Sequence, residues 1–166
     1  MLHPDWLLLR TPNLSPRKKK ISLIVLHHTG GAVHGAVSWL CNPASRVSAD
    51  FVISRFGKVW KLNPDVHGLY SWHAGVSIWH LLKDVNKFSI GIELEHIPGE
   101  DWPAAQVAAA AELCAWLMKV FSLDVNNRVI QSHRAVAWPF GRKSDPEGFP
   151  WSDFGAGVRE CLKSLQ

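Results

Sequence analysis

Three side chains that could bind a metal ion lie at the ends of apolar segments or in a nearby loop. His27 lies at the end of the apolar run that begins at Ile21, and His133 directly follows another short run. Asp145 lies twelve residues beyond His133, in a segment rich in proline and glycine. Two imidazoles and one carboxylate suit a catalytic zinc ion, because three protein ligands leave a fourth position for water. The chain has nine histidines, so spacing alone also allows each residue a structural role.

The elements that would position these residues follow from hydrophobic periodicity. The run from Ile21 to His28 favours a strand buried on both faces, and Ser89 to Glu95 alternates as a strand does. We further predict a hairpin over 51–62, a long excursion over 63–86, a helix over 102–121 capped by Asp101, a strand over 128–132, a loop over 139–150 and a last helix capped by Ser152. This pattern indicates a single α/β domain with a central mixed β-sheet flanked by helices.

Residues 1–20 differ in composition from the rest of the chain. They contain three prolines, and five basic residues against one acidic residue. We expect an irregular basic arm over 1–20, followed by the zinc-binding domain over 21–166. Such a run is often a solvated tail, but it also attracts polyanions such as nucleic acid, an anionic membrane or acidic wall polymers.

Composition limits the class of protein. The 166 residues fit one domain, and 47% apolar against 19% charged residues exclude a disordered chain. Three cysteines without CxxC spacing argue against a disulfide framework. No segment is long enough to cross a bilayer, and the apolar stretch from Trp6 to Leu9 is too short for a signal peptide. We therefore expect synthesis in the cytoplasm and no stable membrane insertion.

Five segments together resemble the motifs of the zinc-dependent type-2 N-acetylmuramoyl-L-alanine amidases. This family includes phage endolysins, muropeptide-recycling amidases and peptidoglycan recognition proteins. In chain order the segments are Ile24 to Thr29, Val47 to Ile53 with Gly57, Trp72 to Gly75, Phe88 to Glu95, and Gly141 to Pro146. They follow the family's order and cover about residues 21–155. The resemblance implies the family's fold, a Zn²⁺ cofactor and hydrolysis of the amide between N-acetylmuramic acid and L-alanine.

Carried over by position, the resemblance makes His27, His133 and Asp145 the zinc ligands. His28 is the alternative to His27, and only one of the two can reach the metal because neighbouring strand residues point to opposite faces. The family's pattern favours His27. The resemblance also implies a substrate cleft formed by Trp72, His73, Ala74 and Gly75.

Amide hydrolysis needs an activated water and a proton for the leaving nitrogen. Glu93, on the polar side of its strand, is the candidate to take a proton from the water and pass it to the nitrogen. Lys143, two residues before Asp145, is the candidate to stabilise the developing oxyanion. Without the motifs, each would be an ordinary surface charge. Some relatives use a catalytic tyrosine, and others have a cysteine as the third metal ligand. Here the one tyrosine, Tyr70, lies in another segment, and the ligand position is Asp145. Both features resemble the Glu-dependent branch of the family, which includes recycling enzymes.

These features predict a monomeric enzyme that acts on peptidoglycan or muropeptides, as a phage-type endolysin at the cell wall. A recycling amidase that acts in the cytosol is the alternative. The presence of Glu93, Lys143 and Asp145 disfavours a non-catalytic peptidoglycan-binding module, and no motif supports nucleic-acid binding. Glu95 shares a strand face with Glu93 and is only two residues away, so the two carboxylates do not form a persuasive catalytic pair for a glycosidase. The nine tryptophans either pack in the core or offer platforms for sugar or peptide.

Overall fold

The computed structural model describes residues 6–125 and 128–165 and is built around a six-stranded sheet. The strands are β1 (Leu7–Leu8), β2 (Leu14–Pro16), β3 (Leu23–His28), β4 (Phe51–Ile53), β5 (Val59–Lys61), β6 (Leu69–Ser71), β7 (Ile78–Trp79), β8 (Leu82–Lys83), β9 (Ser89–Leu94) and β10 (Ile130–Ser132). The α-helices are α1 (Val33–Leu40), α2 (Ala104–Val120), α3 (His133–Val136) and α4 (Trp151–Ser164). The central order is β1-β5-β4-β9-β3-β10, in which only the β4–β5 pair is antiparallel among the described strands. The predicted α/β domain with a mixed sheet is confirmed.

The apolar residues of β3 and β9 are buried on both faces of this sheet. On one face the packed strand residues meet α2 and α4; they are Ile24, Leu26, Ile90, Ile92 and Leu94. On the opposite face Leu23 and Val25 pack with residues from the 63–86 excursion and from α3. Because alternate strand residues point to opposite faces, His27 projects on the side of Leu23 and Val25, whereas His28 projects towards the helices.

Two helices begin at positions that the sequence analysis predicted wrongly. Helix α2 follows Pro103 instead of starting after Asp101, and α4 follows Pro150 instead of Ser152, so it starts two residues earlier than predicted. A residue that precedes proline is disfavoured in helical geometry, so Trp102 lies outside α2, and the fixed φ of proline suits the residue that leads into a helix. No helix in the described ranges has both the length and the apolar character needed to cross a membrane.

The expectation of an irregular arm over 1–20 is wrong for the part of it that the structure describes. Strand β1 pairs with β5 at the edge of the central sheet, and β2 pairs with β6. Between them Thr11 and Asn13 are buried, and the Asn13 amide donates to the carbonyls of Asn42 and Val47. Strands of two and three residues form because partners distant in sequence complete their hydrogen bonds, which local composition does not reveal. Residues 1–5 lie outside the described ranges.

Arg17 fastens this N-terminal segment to the domain. Its guanidinium lies partly buried and donates hydrogen bonds to five backbone carbonyls at 2.9–3.4 Å, those of Val66, Leu69, Asn86, Lys87 and Ser89. Burial lowers the pKa of Arg17, but an arginine remains charged across the physiological range. Three carbonyls of the excursion over 63–86 therefore accept from one side chain outside it, while Lys18, Lys19 and Lys20 stay exposed.

Replacing Arg17 with alanine should destabilise the domain by about 2–3 kcal/mol, because several partly buried carbonyls lose a charged donor at once. Urea unfolding followed by circular dichroism measures this change. Lys18→Ala removes a neighbouring exposed charge and is the matched control, with an expected change within about 0.5 kcal/mol. Equal unfolding midpoints for the two variants would show that the guanidinium does not fasten the segment.

Candidate metal centre

Three predicted ligands meet at the carboxyl end of the parallel strands. His27 is the fifth residue of β3, and His133 directly follows β10, whose Ser132 is aligned with Leu26. The parallel pairing of β10 with β3 therefore brings the two imidazoles together, with ring centroids 4.3 Å apart. Asp145 Oδ2 lies 3.0 Å from His133 Nδ1 and 3.4 Å from His27 Nδ1. All three side chains are buried, and their ligand atoms lie within 4.8 Å of one another, close enough to hold one metal ion.

Asp145 reaches this position because its loop folds back onto α3. The backbone N–H of Arg134 donates to the Asp145 carbonyl at 2.9 Å, which ties the end of the loop to its beginning. Burial by itself raises the pKa of Asp145, but the adjacent imidazoles of His133 and His27 outweigh it and hold this pKa below its usual range. The carboxylate is therefore ionised, as a metal ligand must be.

Hydrogen bonds determine which nitrogen of His133 is free to bind a metal. Its Nε2 lies 3.2 Å from the carbonyl oxygen of Ala74. A carbonyl can only accept, so Nε2 carries the proton and donates it. In the neutral ring Nδ1 is then unprotonated, and its lone pair is directed to the side where Asp145 lies.

A longer chain of hydrogen bonds likewise leaves Nδ1 as the free nitrogen of His27. The Ser89 hydroxyl donates to the carbonyl of Val85 at 2.7 Å, so its oxygen accepts from His73 Nε2 at 2.9 Å. His73 Nδ1 is then the acceptor for His27 Nε2, also at 2.9 Å. His27 Nδ1 is therefore the free nitrogen, on the side of Asp145. Burial, and next the neighbouring His133, lowers the pKa of His27 to about 4, so the ring is neutral, as this arrangement requires.

His73 can reach His27 because β9 has a glycine beneath it. A Cβ built on Gly91 would lie 2.3 Å from His73 Cγ, far closer than atoms in contact allow. The backbone N–H groups of His73 and Ala74 both donate to the side-chain oxygen of Asn86, which fixes this segment against the sheet. Burial lowers the pKa of His73 well below its usual value, so this ring too is neutral. A residue predicted to contact substrate thus supports a ligand.

Glu93 lies next to His27, because the two residues are paired in the β3–β9 register. Its Oε2 is buried and has no hydrogen-bond partner among the described residues, so this oxygen is available to a group bound in the cavity. Burial, and next the charge of Asp145, raises the pKa of Glu93 to about 8, against the opposing effect of Lys143. A carboxyl with such a pKa can both accept and donate a proton near neutral pH.

Glu95, two residues further on, has a different role. Its two oxygens accept from the backbone N–H groups of Val33 and Arg55, each at 2.9 Å. It therefore fixes the start of α1 and the turn after β4. With both oxygens engaged, Glu95 does not form a glycosidase-type carboxylate pair with Glu93.

A cavity of about 340 Å³ opens above these groups. Seven of the predicted site residues line it: His27, Trp72, His73, Glu93, His133, Lys143 and Asp145. Ala74 and Gly75 lie outside this lining; Ala74 is buried and supports His133 through its carbonyl, and Gly75 lies beside the Arg142 guanidinium. Substrate contact by Trp72 and His73 remains a prediction.

The sequence analysis did not identify several residues of this site. Trp39 of α1, Val47 and Ser48 also line the cavity, and Ser89 and Asn86 support His73. Trp39 and Val47 are exposed apolar side chains, which hydrophobic patterning alone would assign to packing. The glycine in the alternating segment 89–95 was the available signal for a close approach of another side chain.

Comparisons with known proteins agree with this geometry. A family model described as N-acetylmuramoyl-L-alanine amidase matches residues 17–148. The chain is 26% identical to N-acetylmuramoyl-L-alanine amidase A of Achromobacter lyticus, over 90% of this chain and 89% of that protein. A selenomethionine derivative of AmpD superposes with a TM-score of 0.77 at 28% identity, over 95% of this chain and 96% of the other. AMPDH3 from Pseudomonas aeruginosa in complex with anhydromuramic pentapeptide superposes with a TM-score of 0.73 at 25% identity, over 86% and 62%. Since the family model covers well over half of its residues, the chain belongs to the type-2 N-acetylmuramoyl-L-alanine amidase family.

Proposed function

We propose that this amidase is zinc-dependent and that His27, His133 and Asp145 are its zinc ligands. The observation that carries the proposal is the pair of hydrogen-bond chains that leave both imidazole Nδ1 atoms unprotonated beside Asp145. Two neutral imidazoles and one carboxylate form a donor set that suits zinc and leaves one position open. When bound there, zinc would supply an acidified water and polarise the substrate carbonyl.

The remaining chemistry falls to Glu93 and Lys143. Glu93 would take the proton of the attacking water and deliver it to the nitrogen of L-alanine as the amide bond breaks. Its raised pKa supports this, because a more basic carboxylate accepts the proton of the water more readily. Lys143 lines the same cavity, and its ammonium would stabilise the negative charge that develops on the carbonyl oxygen.

The substrate would be the amide between N-acetylmuramic acid and L-alanine in peptidoglycan, with a phage-type endolysin as the biological role. A muropeptide-recycling amidase is the alternative, and the similarity to AmpD supports it. With Glu93, Lys143 and all three ligands gathered in one cavity, the chain lacks none of the groups that the proposed chemistry requires. Trp72 and His73 would contact the substrate from the excursion side of the cleft.

The purified protein should contain about one zinc per chain, since the ligand atoms form a single site. His133→Ala and Asp145→Ala should each lose most of this metal, as measured by elemental mass spectrometry of the purified variants. His28→Ala is the matched control, because His28 adjoins a ligand but projects to the opposite face, and it should keep its zinc. A full equivalent of zinc in both ligand variants would refute the assignment.

Glu93→Gln should retain zinc and the fold but lose about 10²–10⁴-fold in turnover, the usual contribution of a general base. Lys143→Met should lose about 10²–10³-fold for want of a charge at the oxyanion. Release of product from a soluble muramyl peptide measures both effects, and Glu147→Gln, an exposed carboxylate in the same loop, is the control. Parent-level turnover in Glu93→Gln would mean that another group moves the proton.

Digestion of cell-wall material should release new amino groups that belong to L-alanine, with no new reducing sugar ends. This follows because Glu95 is committed to two backbone donors and Asp145 is assigned to the metal, so that neither is available to Glu93 as a second carboxylate for glycosidase chemistry. N-terminal labelling of the digest and a reducing-sugar assay give the two readouts. Reducing ends that appear in step with digestion would contradict the proposed bond.

A further inference from the structure

The loop that leads to Asp145 exposes two aromatic rings that the fold does not use. We call residues 138–141 the aromatic loop. Trp138 is 47% exposed and Phe140 is 68% exposed, and neither belongs to a core cluster formed by the described residues. Large exposed aromatic side chains grouped at one place mark an interaction surface more often than chance placement.

The aromatic loop is held firmly although its side chains point outward. The backbone N–H of Trp138 donates to the Val76 carbonyl at 3.0 Å. Arg142 donates from its backbone N–H to the Pro139 carbonyl and from Nε to the Trp138 carbonyl. Arg142 Nη2 also donates to the carbonyls of Ala74 and Val76. Rings presented from a fixed backbone lose less freedom on binding than rings on a mobile loop, so they are suited to recognition.

The two rings meet edge to face, with centroids 5.0 Å apart. This arrangement leaves ring faces uncovered, whereas a parallel stack would cover one face of each ring. Val76, also exposed, extends the apolar surface on the neighbouring segment. The same short loop carries these flat apolar faces and the cations Arg142 and Lys143, a combination that matches the chemistry of a sugar ring, which has apolar C–H faces and a polar rim.

The aromatic loop lies a few residues along the chain from groups that line the cleft. Phe140 precedes Lys143 by three residues and Asp145 by five, so its Cα lies at most roughly 18 Å from that of the ligand. Arg142 shares the Ala74 carbonyl with His133, which joins the loop directly to a ligand's support. A polymer whose muramic acid occupied the cleft would have its neighbouring sugars within reach of these rings.

We propose that Trp138 and Phe140 form a saccharide-binding platform that engages the glycan strand beside the muramic acid being cleaved. This inference rests on the proposed amidase function and deepens it, since it makes polymeric glycan the preferred substrate class over short muropeptides. The two rings contribute binding to the neighbouring sugars and take no part in bond cleavage.

The test compares the double variant Trp138→Ala/Phe140→Ala with the parent on two substrates. On intact sacculi, kcat/KM should fall about tenfold or more, as for the loss of aromatic anchors at an interface. On a soluble muramyl-L-alanyl peptide without flanking sugars, it should change less than about twofold. Phe56→Ala is the control, because Phe56 is an exposed aromatic residue beside α2, and it should alter neither value.

A second measurement separates this inference from the amidase function itself. Titration calorimetry with peptide-free glycan strands should show binding to the parent and a loss of about tenfold or more in the double variant, whether or not the protein cleaves an amide. If the parent cleaves no muramyl peptide but binds these strands through the two rings, the proposed function fails and the platform stands. Phe140→Ala alone, which removes no side-chain hydrogen bond, gives the same readout if the double variant is unstable.

Three results would overturn the platform. Unchanged activity on sacculi would show that the rings bind no sugar. Equal losses on both substrates would show that the loop only supports Lys143 and Asp145. Binding of phosphatidylglycerol vesicles, or self-association in sedimentation, that disappears in the double variant while glycan binding persists would assign the rings to a membrane or to a second copy of the chain.

Discussion

The parallel pairing of β3 with β9 is the constraint on which the site depends. Its register aligns His27 with Glu93, so a proposed metal ligand and the proposed proton carrier lie on neighbouring strands at one edge of the sheet. Two residues earlier the same face presents Gly91, and the space that its missing side chain leaves holds the His73 ring against His27. A shift of β9 by one residue in this register would turn Glu93 and Gly91 to the opposite face and place a side chain where the His73 ring lies.

Backbone carbonyls determine which nitrogen of each histidine in the centre carries a proton. The carbonyls of Val85 and Ala74 can only accept, and from them the donor direction follows through Ser89 and His73 to His27, and directly to His133. Supports of this kind raise the basicity of a ligand and hold its orientation, which commonly changes metal affinity by about 10–100-fold. The excursion over 63–86 supplies much of this support. Its length therefore corresponds to a supporting role in the centre, as is common for long excursions in compact domains.

Features set by local pattern could be predicted from the sequence, and features set by distant contacts could not. The runs in β3 and β9 and the apolar stripe of α2 are continuous signals, because burial on a sheet face or helix face repeats along the chain. Strand β1 has two residues, and its place beside β5 depends on a partner more than fifty residues away. The ligand set was predicted from motifs in a fixed order. The hydrogen bonds of His73 to His27 and Ser89 could not be predicted, because they depend on which side chains lie next to its ring in the folded domain.

The segment between His133 and Asp145 shows how one loop serves two demands. Its ends are fixed: His133 donates to the Ala74 carbonyl, and Arg134 binds the backbone of Asp145. Arg142 reaches the same Ala74 carbonyl from the other side of the loop, so the charged side chain, rather than the aromatic rings, carries the geometry of the ligands. Trp138 and Phe140 project away from these bonds and are free to vary without moving a ligand. A family that changes its substrate preference while keeping its chemistry would be expected to change such outward positions first, because they alter what binds beside the centre and leave its hydrogen bonds intact.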